Sequence, residues 1–171
     1  MSKRLLTAGA TACAVALATG VAFAPAHEGR SDDRGHRGDD RERSERVLLG
    51  VLNGRNEIGP DGRKGAGDPD GQGTASAVID GDQLCFGLTV KNLGAPAAAH
   101  IHRGRKDVNG PVVITLTAPQ AGDPGASSGC VAVAGDLARD LLRHPNRFYW
   151  NVHTAEFPGG AIRDQVFAKR G

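Results

Sequence analysis

The sequence is poor in aromatic residues and in net charge, and each shortage narrows the class of protein. Phe, Trp and Tyr together make up 4% of the 171 residues. Lys and Arg number 21 against 19 Asp and Glu, which leaves a formal net charge of +2. A nucleic-acid-binding domain shows a basic face or stripe, so we expect no nucleic-acid partner. The 25 Gly residues, with so few aromatic ones, favour a turn-rich β protein that also carries disordered stretches.

Sequence motifs for nucleophilic catalysis and for phosphate binding are lacking as well. None of the Ser residues lies in the context of a nucleophile elbow, so a serine hydrolase has no support. The Gly-rich stretch 62–73 is not followed by Gly-Lys-Ser/Thr and a helix, so it does not form a phosphate-binding loop. We therefore predict no catalytic residue and favour a non-enzymatic role.

Long apolar runs are absent except near the N-terminus. Lys3 and Arg4 precede a weakly apolar stretch, 5–22, and the Ala-x-Ala pattern of a cleavage site follows it at Ala22 to Ala24, with a second option at Ala24 to Ala26. This arrangement is typical of a secretory signal peptide, here residues 1–26. A membrane anchor is the alternative, but Gly and Thr dilute a stretch that is barely long enough. We expect a secreted, extracellular or envelope protein whose mature chain has no transmembrane segment.

The next segment, 27–46, is highly charged. It contains six Arg and seven acidic residues and no large apolar residue. Such a segment cannot offset the entropy lost on ordering, so we interpret it as a disordered linker. The folded domain is then expected at 47–171.

The remainder of the sequence alternates between short apolar strands and turns rich in Gly and Pro. This pattern predicts an all-β, antiparallel sandwich or barrel with one short helix. A long loop, 53–73, should separate the first two strands. The helix is expected at 136–143, with Asp136 as its N-cap and Pro145 beyond its end. The predicted strands are 47–52, 74–79, 84–90, 97–103, 111–118, 130–134, 148–153 and 161–167.

Of the three Cys residues, Cys13 would leave with the signal peptide. Cys85 and Cys130 remain, each at the start of a predicted strand. Disulfides persist in exported proteins, so we favour a Cys85–Cys130 disulfide over two buried thiols. A paired cysteine is neither a nucleophile nor a metal ligand, which excludes cysteine catalysis.

Three histidines form the main candidate site. His100 and His102 are two residues apart on a predicted strand, so they share one face, about 6–7 Å apart. His153 is also out of phase with its apolar neighbours. If the two strands are close, three neutral imidazoles and an open position would suit zinc or copper. The alternative is that each histidine only hydrogen-bonds a nearby carboxylate or carbonyl. Converging ring nitrogens would favour a metal site. Diverging rings, or rings capped by carbonyls, would favour a binding module or a structural module.

Two carboxylates are candidates for the surroundings of this site, and a fourth histidine is not. Glu156 and Asp164 follow His153 closely and could supply an oxygen ligand or accept a hydrogen bond from an imidazole. His144 is expected at the C-terminus of the helix, where the helix dipole favours a cation, so we interpret it as structural.

Six motifs follow one another along the predicted domain. They are LNGRNE (52–57), DPDGQGTA (68–75), LCFGLTV (84–90), AHIHRG (99–104), NGPVV (109–113) and YWNVHTAEFPGGAIRDQ (149–165). These motifs resemble those of the chordin-type (CHRD) domain, and the resemblance spans about 47–168. It implies an immunoglobulin-like Greek-key β-sandwich similar to Cu/Zn superoxide dismutase. It also implies a secreted, non-enzymatic module that binds an extracellular protein or surface ligand; the alternative is a mononuclear copper or zinc protein using His100, His102 and His153.

The likeness to the dismutase can be tested by counting ligands. The two-metal site of that enzyme uses six histidines and one aspartate, whereas the predicted domain contains only His100, His102, His144 and His153. A two-metal dismutase site therefore cannot be assembled, and at most one mononuclear site is expected. Similarity of fold alone would not justify the enzymatic activity.

Overall fold

The computed structural model describes residues 46–170. The predicted signal peptide and all but the last residue of the charged segment lie outside the described residues. Within them the chain forms nine strands, one α-helix and two short 3₁₀ turns. The elements are β1 (Arg46–Asn53), β2 (Gln72–Asp80), β3 (Gln83–Lys91), β4 (Pro96–Arg103), β5 (Val112–Leu116), β6 (Gly125–Ala132), α1 (Gly135–Arg143), β7 (Phe148–Thr154), β8 (Ile162–Gln165) and β9 (Phe167–Arg170).

The architecture is the predicted all-β, antiparallel sandwich with one short helix. The strand order is β5-β4-β7-β8-β1-β2-β3-β6, and β9 also pairs with β1. The two halves of this path meet at β8 and β1, where the paired residues are Asn53 and Arg163. The chain crosses between the halves after β3, β5, β6 and β8, as expected for a Greek-key sandwich.

The core lies between these two halves of the sheet. Strand β3 alternates strictly, so that Leu84, Phe86, Leu88 and Val90 are buried. Trp150 of β7 packs across the core against β1, and its indole Nε1 donates a hydrogen bond to the Leu49 carbonyl at 3.2 Å. A side chain at Gly50 would collide with the same indole. The single Trp thus connects β7 to β1 across the core.

Some element boundaries differ from the sequence prediction. The helix begins at Gly135 with Ala134 as N-cap, so the prediction of Asp136 as N-cap was wrong; Asp136 lies in the first turn. Strand β6 begins at Gly125, five residues before the predicted start. It is an edge strand whose first five residues are Gly, Ala and Ser, which carry little hydrophobic signal. The last predicted strand is two strands, β8 and β9, and β1 begins at Arg46.

The predicted disulfide is present between Cys85 and Cys130, with an S–S distance of 2.06 Å. The two residues are direct partners in the pairing of β3 with β6. They lie inside these strands, at the third residue of β3 and the sixth of β6, and not at strand starts. The disulfide therefore fastens the edge strand β6 to the sheet.

No helix within residues 46–170 has the length and apolarity needed to cross a membrane.

Strand β7, which carries His153 of the candidate site, is buried on both faces. Phe148, Trp150 and Val152 enter the core as predicted, but Tyr149 and Asn151 on the other face are also almost fully covered. The covering comes from the loops after β1 and after β4. These loops are joined to each other, because Asn109 Nδ2 donates a hydrogen bond to the Ile58 carbonyl at 2.9 Å. A second, polar layer therefore lies outside the sandwich core.

Candidate metal centre

Three histidines converge at the edge of this polar layer. Strand β4 presents His100 and His102 on one face while Ile101 enters the core, and β7 presents His153. One ligand nitrogen from each ring lies within 4.8 Å of the other two. His100 Nδ1 and His153 Nε2 are only 3.2 Å apart. Two nitrogens that bind one tetrahedral zinc are separated by about 3.3 Å, so this pair already has the spacing of metal ligands.

The outer nitrogens of two rings are fixed by backbone carbonyls. His102 Nδ1 lies 2.9 Å from the Gly110 carbonyl oxygen, and His153 Nδ1 lies 3.0 Å from that of Pro158. Because a carbonyl only accepts, both Nδ1 atoms must carry the proton. In the neutral rings, each Nε2 then presents a lone pair to the cluster. A histidine that ligates a metal is usually held in this way through its far nitrogen.

One of these lone pairs is buried without a partner. His102 is 8% exposed. Its Nε2 has no hydrogen-bond partner within the part of the chain that the structure describes. A buried polar atom left unsatisfied costs about 1–3 kcal/mol. A metal ion at the centre of the three rings would satisfy it. His100 and His153 are only half-buried, so the cluster can be reached from solvent on their side.

The electrostatic environment favours the neutral form of His100 and His102. Burial lowers the pKa of His100, and the neighbouring His153 and His102 lower it further. Burial is also the largest cause of the lowered pKa of His102; the Gly110 carbonyl opposes this shift, while His153 and Arg163 add to it. Neutral imidazole is the form that binds metals. Burial thus favours the metal-binding form of His100 and His102.

A stack of side chains supports His102 from the polar layer. Its ring lies parallel to that of Tyr149, with centroids 4.7 Å apart, and the Arg163 guanidinium lies 3.4 Å from the Tyr149 centroid. The Tyr149 hydroxyl accepts a hydrogen bond from Gly110 N at 3.1 Å and donates one to the Gly110 carbonyl at 3.3 Å. Tyr149 therefore fixes the carbonyl that orients His102.

The polar layer continues to a buried carboxyl group. Asn151 lies directly opposite His100 in the pairing of β4 with β7, and its Nδ2 donates a hydrogen bond to Glu57 Oε2 at 3.4 Å. Glu57 is 2% exposed. Burial raises the pKa of Glu57 to about 7, although Arg163, Asn151 and the Ile58 backbone lower it. Sequence reasoning missed Glu57, Tyr149, Asn151 and Arg163 as a buried group; the one signal was their place in the CHRD-like motifs.

The two carboxylates considered from the sequence lie elsewhere. Asp164 accepts hydrogen bonds from Val51 N at 2.7 Å and from Asn56 Nδ2 at 3.4 Å, and Glu156 is exposed in the turn after β7. Among the described residues, the acceptors for the outer imidazole nitrogens are the two carbonyls and neither of these carboxylates. His144 is the C-cap of α1, at the helix C-terminus as predicted, and it is not one of the converging histidines.

Comparison with known families agrees with the motifs. The family model of the CHRD domain matches residues 49–166. The chain belongs to the CHRD domain family. The matched part of the CHRD domain includes all three converging histidines and the buried Glu57–Asn151 pair. No curated protein and no solved structure shows a significant match to the chain.

Proposed function

We propose that this CHRD domain binds one transition-metal ion, zinc or copper, through His100, His102 and His153. The observation that carries the proposal is the convergence of three imidazoles, with one nitrogen of each ring within 4.8 Å of the other two. Three imidazoles and an open fourth position suit either metal. Such a site would serve metal buffering or delivery, and no catalytic residue is assigned.

The carbonyl contacts of the rings support this proposal over a purely structural role. Carbonyl capping alone would favour histidines that only fix a loop. Here, however, the carbonyls contact the outer Nδ1 atoms of His102 and His153, while the inner Nε2 atoms face the other rings of the cluster. A structural role gives no reason for the unpartnered, buried Nε2 of His102.

Export is part of the same proposal. The signal-like residues 1–26, a charged linker at 27–46 and a domain at 47–171 would together give a secreted or envelope protein. The disulfide between Cys85 and Cys130 is the kind of cross-link that persists in an oxidising compartment. Zinc or copper would then be bound outside the cytoplasm.

A second candidate function is the binding of an extracellular protein or surface ligand, and one observation favours it. A groove of about 950 Å³ crosses the sheet, lined by Val51, Thr74, Thr89, Lys91 and neighbouring residues. Val51 in this groove is an exposed large apolar residue. A ligand there would not compete with the histidines, so the two functions are compatible.

The metal proposal is tested by metal content. The purified protein would be stripped with a chelator, loaded with zinc or with copper, desalted and measured by mass spectrometry. We expect about one metal per chain, and loss of that metal in the triple variant His100→Ala/His102→Ala/His153→Ala. The matched control His144→Ala should keep the metal, and so should His27→Ala/His36→Ala in the charged segment. Retention of metal by the triple variant would overturn the assignment.

A further inference from the structure

Three buried side-chain atoms of the described residues have no hydrogen-bond partner, and all three lie in the polar layer. They are His102 Nε2, Glu57 Oε1 and Asn151 Oδ1. The metal centre accounts for the first. The other two are oxygen atoms of side chains that are 2% and 3% exposed. Native proteins rarely leave such atoms unpaired, so the pair calls for an explanation of its own.

The strand register places Asn151 at the centre of this layer. It is the direct partner of His100 on β4 and of Arg163 on β8. Side chains of such partners have their Cβ atoms about 4.5–5.5 Å apart. His153 follows two residues later on the same face of β7. Asn151 therefore neighbours two of the three proposed ligands.

Glu57 sets the orientation of the Asn151 amide. Its carboxyl group lies beside the turn that precedes β8, where a Cβ on Gly160 would come within 2.6 Å of it. Asn151 Nδ2 donates a hydrogen bond to this carboxyl group. The two branches of an amide diverge by about 120°, so Oδ1 is directed away from the carboxyl group. A flipped amide would instead set Oδ1 against the carboxyl group.

Among the described residues, no ion pair offsets the free-energy cost of burying the Glu57 carboxyl group. Its recess exists because residues 67 and 160 are Gly: a Cβ on Gly67 would lie 2.6 Å from Glu57 Cγ. The nearby Arg163 uses its guanidinium on the Val108 carbonyl and Asn109 Oδ1. Within residues 46–170, the one hydrogen bond that the Glu57 carboxyl group makes to another side chain is the one to Asn151 Nδ2.

We propose that Asn151, held by Glu57, is a positioning residue whose Oδ1 accepts a hydrogen bond from a small protic ligand, water first of all, at the position that the three histidines leave open. This inference rests on the metal centre proposed above. It assigns the fourth position a preference: ligands with an O–H or N–H group are favoured over anions without one, such as azide. Displacing the water loses the hydrogen bond to Oδ1, which azide cannot replace.

The experiment compares azide binding to the copper-loaded protein and its variants, followed by visible absorption and electron paramagnetic resonance. Asn151→Leu removes the acceptor, and Glu57→Leu releases the amide. Both should keep one copper per chain and bind azide about tenfold more tightly than the unmodified protein. Glu57→Gln keeps an acceptor for Asn151 Nδ2 and should match the unmodified protein within twofold. If Asn151 had a purely structural role, the two Leu variants would not bind azide more tightly while Glu57→Gln stayed unchanged.

The variants also separate the two proposals. If the unmodified protein holds no copper, the metal centre and this inference both fall. If copper is held but Asn151→Leu binds azide within twofold of the unmodified protein, only this inference is overturned. Should Asn151→Leu fail to fold, Glu57→Leu gives the same test, because replacing a buried ionisable group by an apolar one is often neutral for stability.

Discussion

His100 Nδ1 and His153 Nε2 face each other at 3.2 Å across two neighbouring antiparallel strands. The two residues are not direct partners in the register, since His100 pairs with Asn151 and His153 with Ala98. Because the Pro158 carbonyl holds the proton of His153 on Nδ1, His153 Nε2 is an acceptor. Without a metal, His100 Nδ1–H donates to it. For both nitrogens to bind a metal, the proton of His100 would have to be on Nε2 of the same ring. The two nitrogens would then be neighbours in both the empty and the occupied centre.

Metal affinity should fall as the pH falls. The pKa values of His100 and His102 are lowered by burial, so these rings stay neutral somewhat below the ordinary histidine pKa of about 6.5. A histidine whose folded-state pKa is lowered contributes stability at pH values above its unfolded-state pKa. This stability is lost as the pH falls through the folded-state pKa. We expect constant affinity above about pH 7 and at least a tenfold loss per pH unit once the rings protonate. Zinc competition titrations from pH 8 to pH 4.5 would show this, and a flat profile would contradict it.

Glu57→Gln should stabilise the metal-free protein at alkaline pH. The folded-state pKa of Glu57 is raised from 4.5 to about 7. The contribution of Glu57 to folding stability is therefore fully present below the unfolded-state pKa, and it is lost as the pH rises through the folded-state pKa. A raised pKa of this size corresponds to about 3 kcal/mol. At pH 8 the variant should exceed the unmodified protein by up to that amount, and at pH 4 the two should be similar. Urea unfolding at both pH values measures this; equal differences at the two would refute it.

Tyr149→Phe should weaken metal binding without unfolding the domain. The hydroxyl group fixes Gly110, whose carbonyl orients His102. Loss of such an outer contact typically costs about 10–100-fold in metal affinity. Phe keeps the ring that stacks on His102, so the core should be unchanged. Competition with a chromophoric chelator would measure the loss, with Phe148→Leu as a control for general loosening of β7. An unchanged affinity in Tyr149→Phe would show that Gly110 is held by other contacts.

Removal of the disulfide should lower stability but leave the metal centre intact. The bond between Cys85 and Cys130 closes a sequence separation of 45 residues. In the chain-entropy model this contributes about 4 kcal/mol. Cys85→Ala/Cys130→Ala should lose stability of that order in urea unfolding and still bind one metal per chain, because β3 and β6 supply none of the three histidines. Loss of metal binding at a temperature where the variant is folded would oppose this separation.

The sequence was sufficient for the fold because period-two alternation reports burial on one face directly. Leu84 to Val90 alternates strictly, and the structure buries the predicted face. The start of β6 was hidden because Gly125 to Gly129 consists of small residues on an edge strand. The helix start was misplaced because Asp136 has the chemistry of a cap but falls inside the first turn.

The histidine cluster was predictable, and its surroundings were not. His100 and His102 follow from the alternation of β4, and His153 from that of β7. The polar layer depends on loops folding back over β7, which no local pattern reports. Asn151 and Tyr149 therefore looked solvent-facing, and Glu57 looked like a loop residue. The outer acceptors are backbone carbonyls of Gly110 and Pro158, whose positions depend on tertiary structure and not on residue type.

The most direct test of the three-histidine centre is a crystal structure of the zinc-loaded protein, with anomalous data on both sides of the zinc absorption edge. The account predicts one strong anomalous peak about 2.0–2.1 Å from His100 Nδ1, His102 Nε2 and His153 Nε2. It also predicts a fourth ligand within hydrogen-bond distance of Asn151 Oδ1. A zinc peak located elsewhere, with the three imidazoles unligated, would contradict the account.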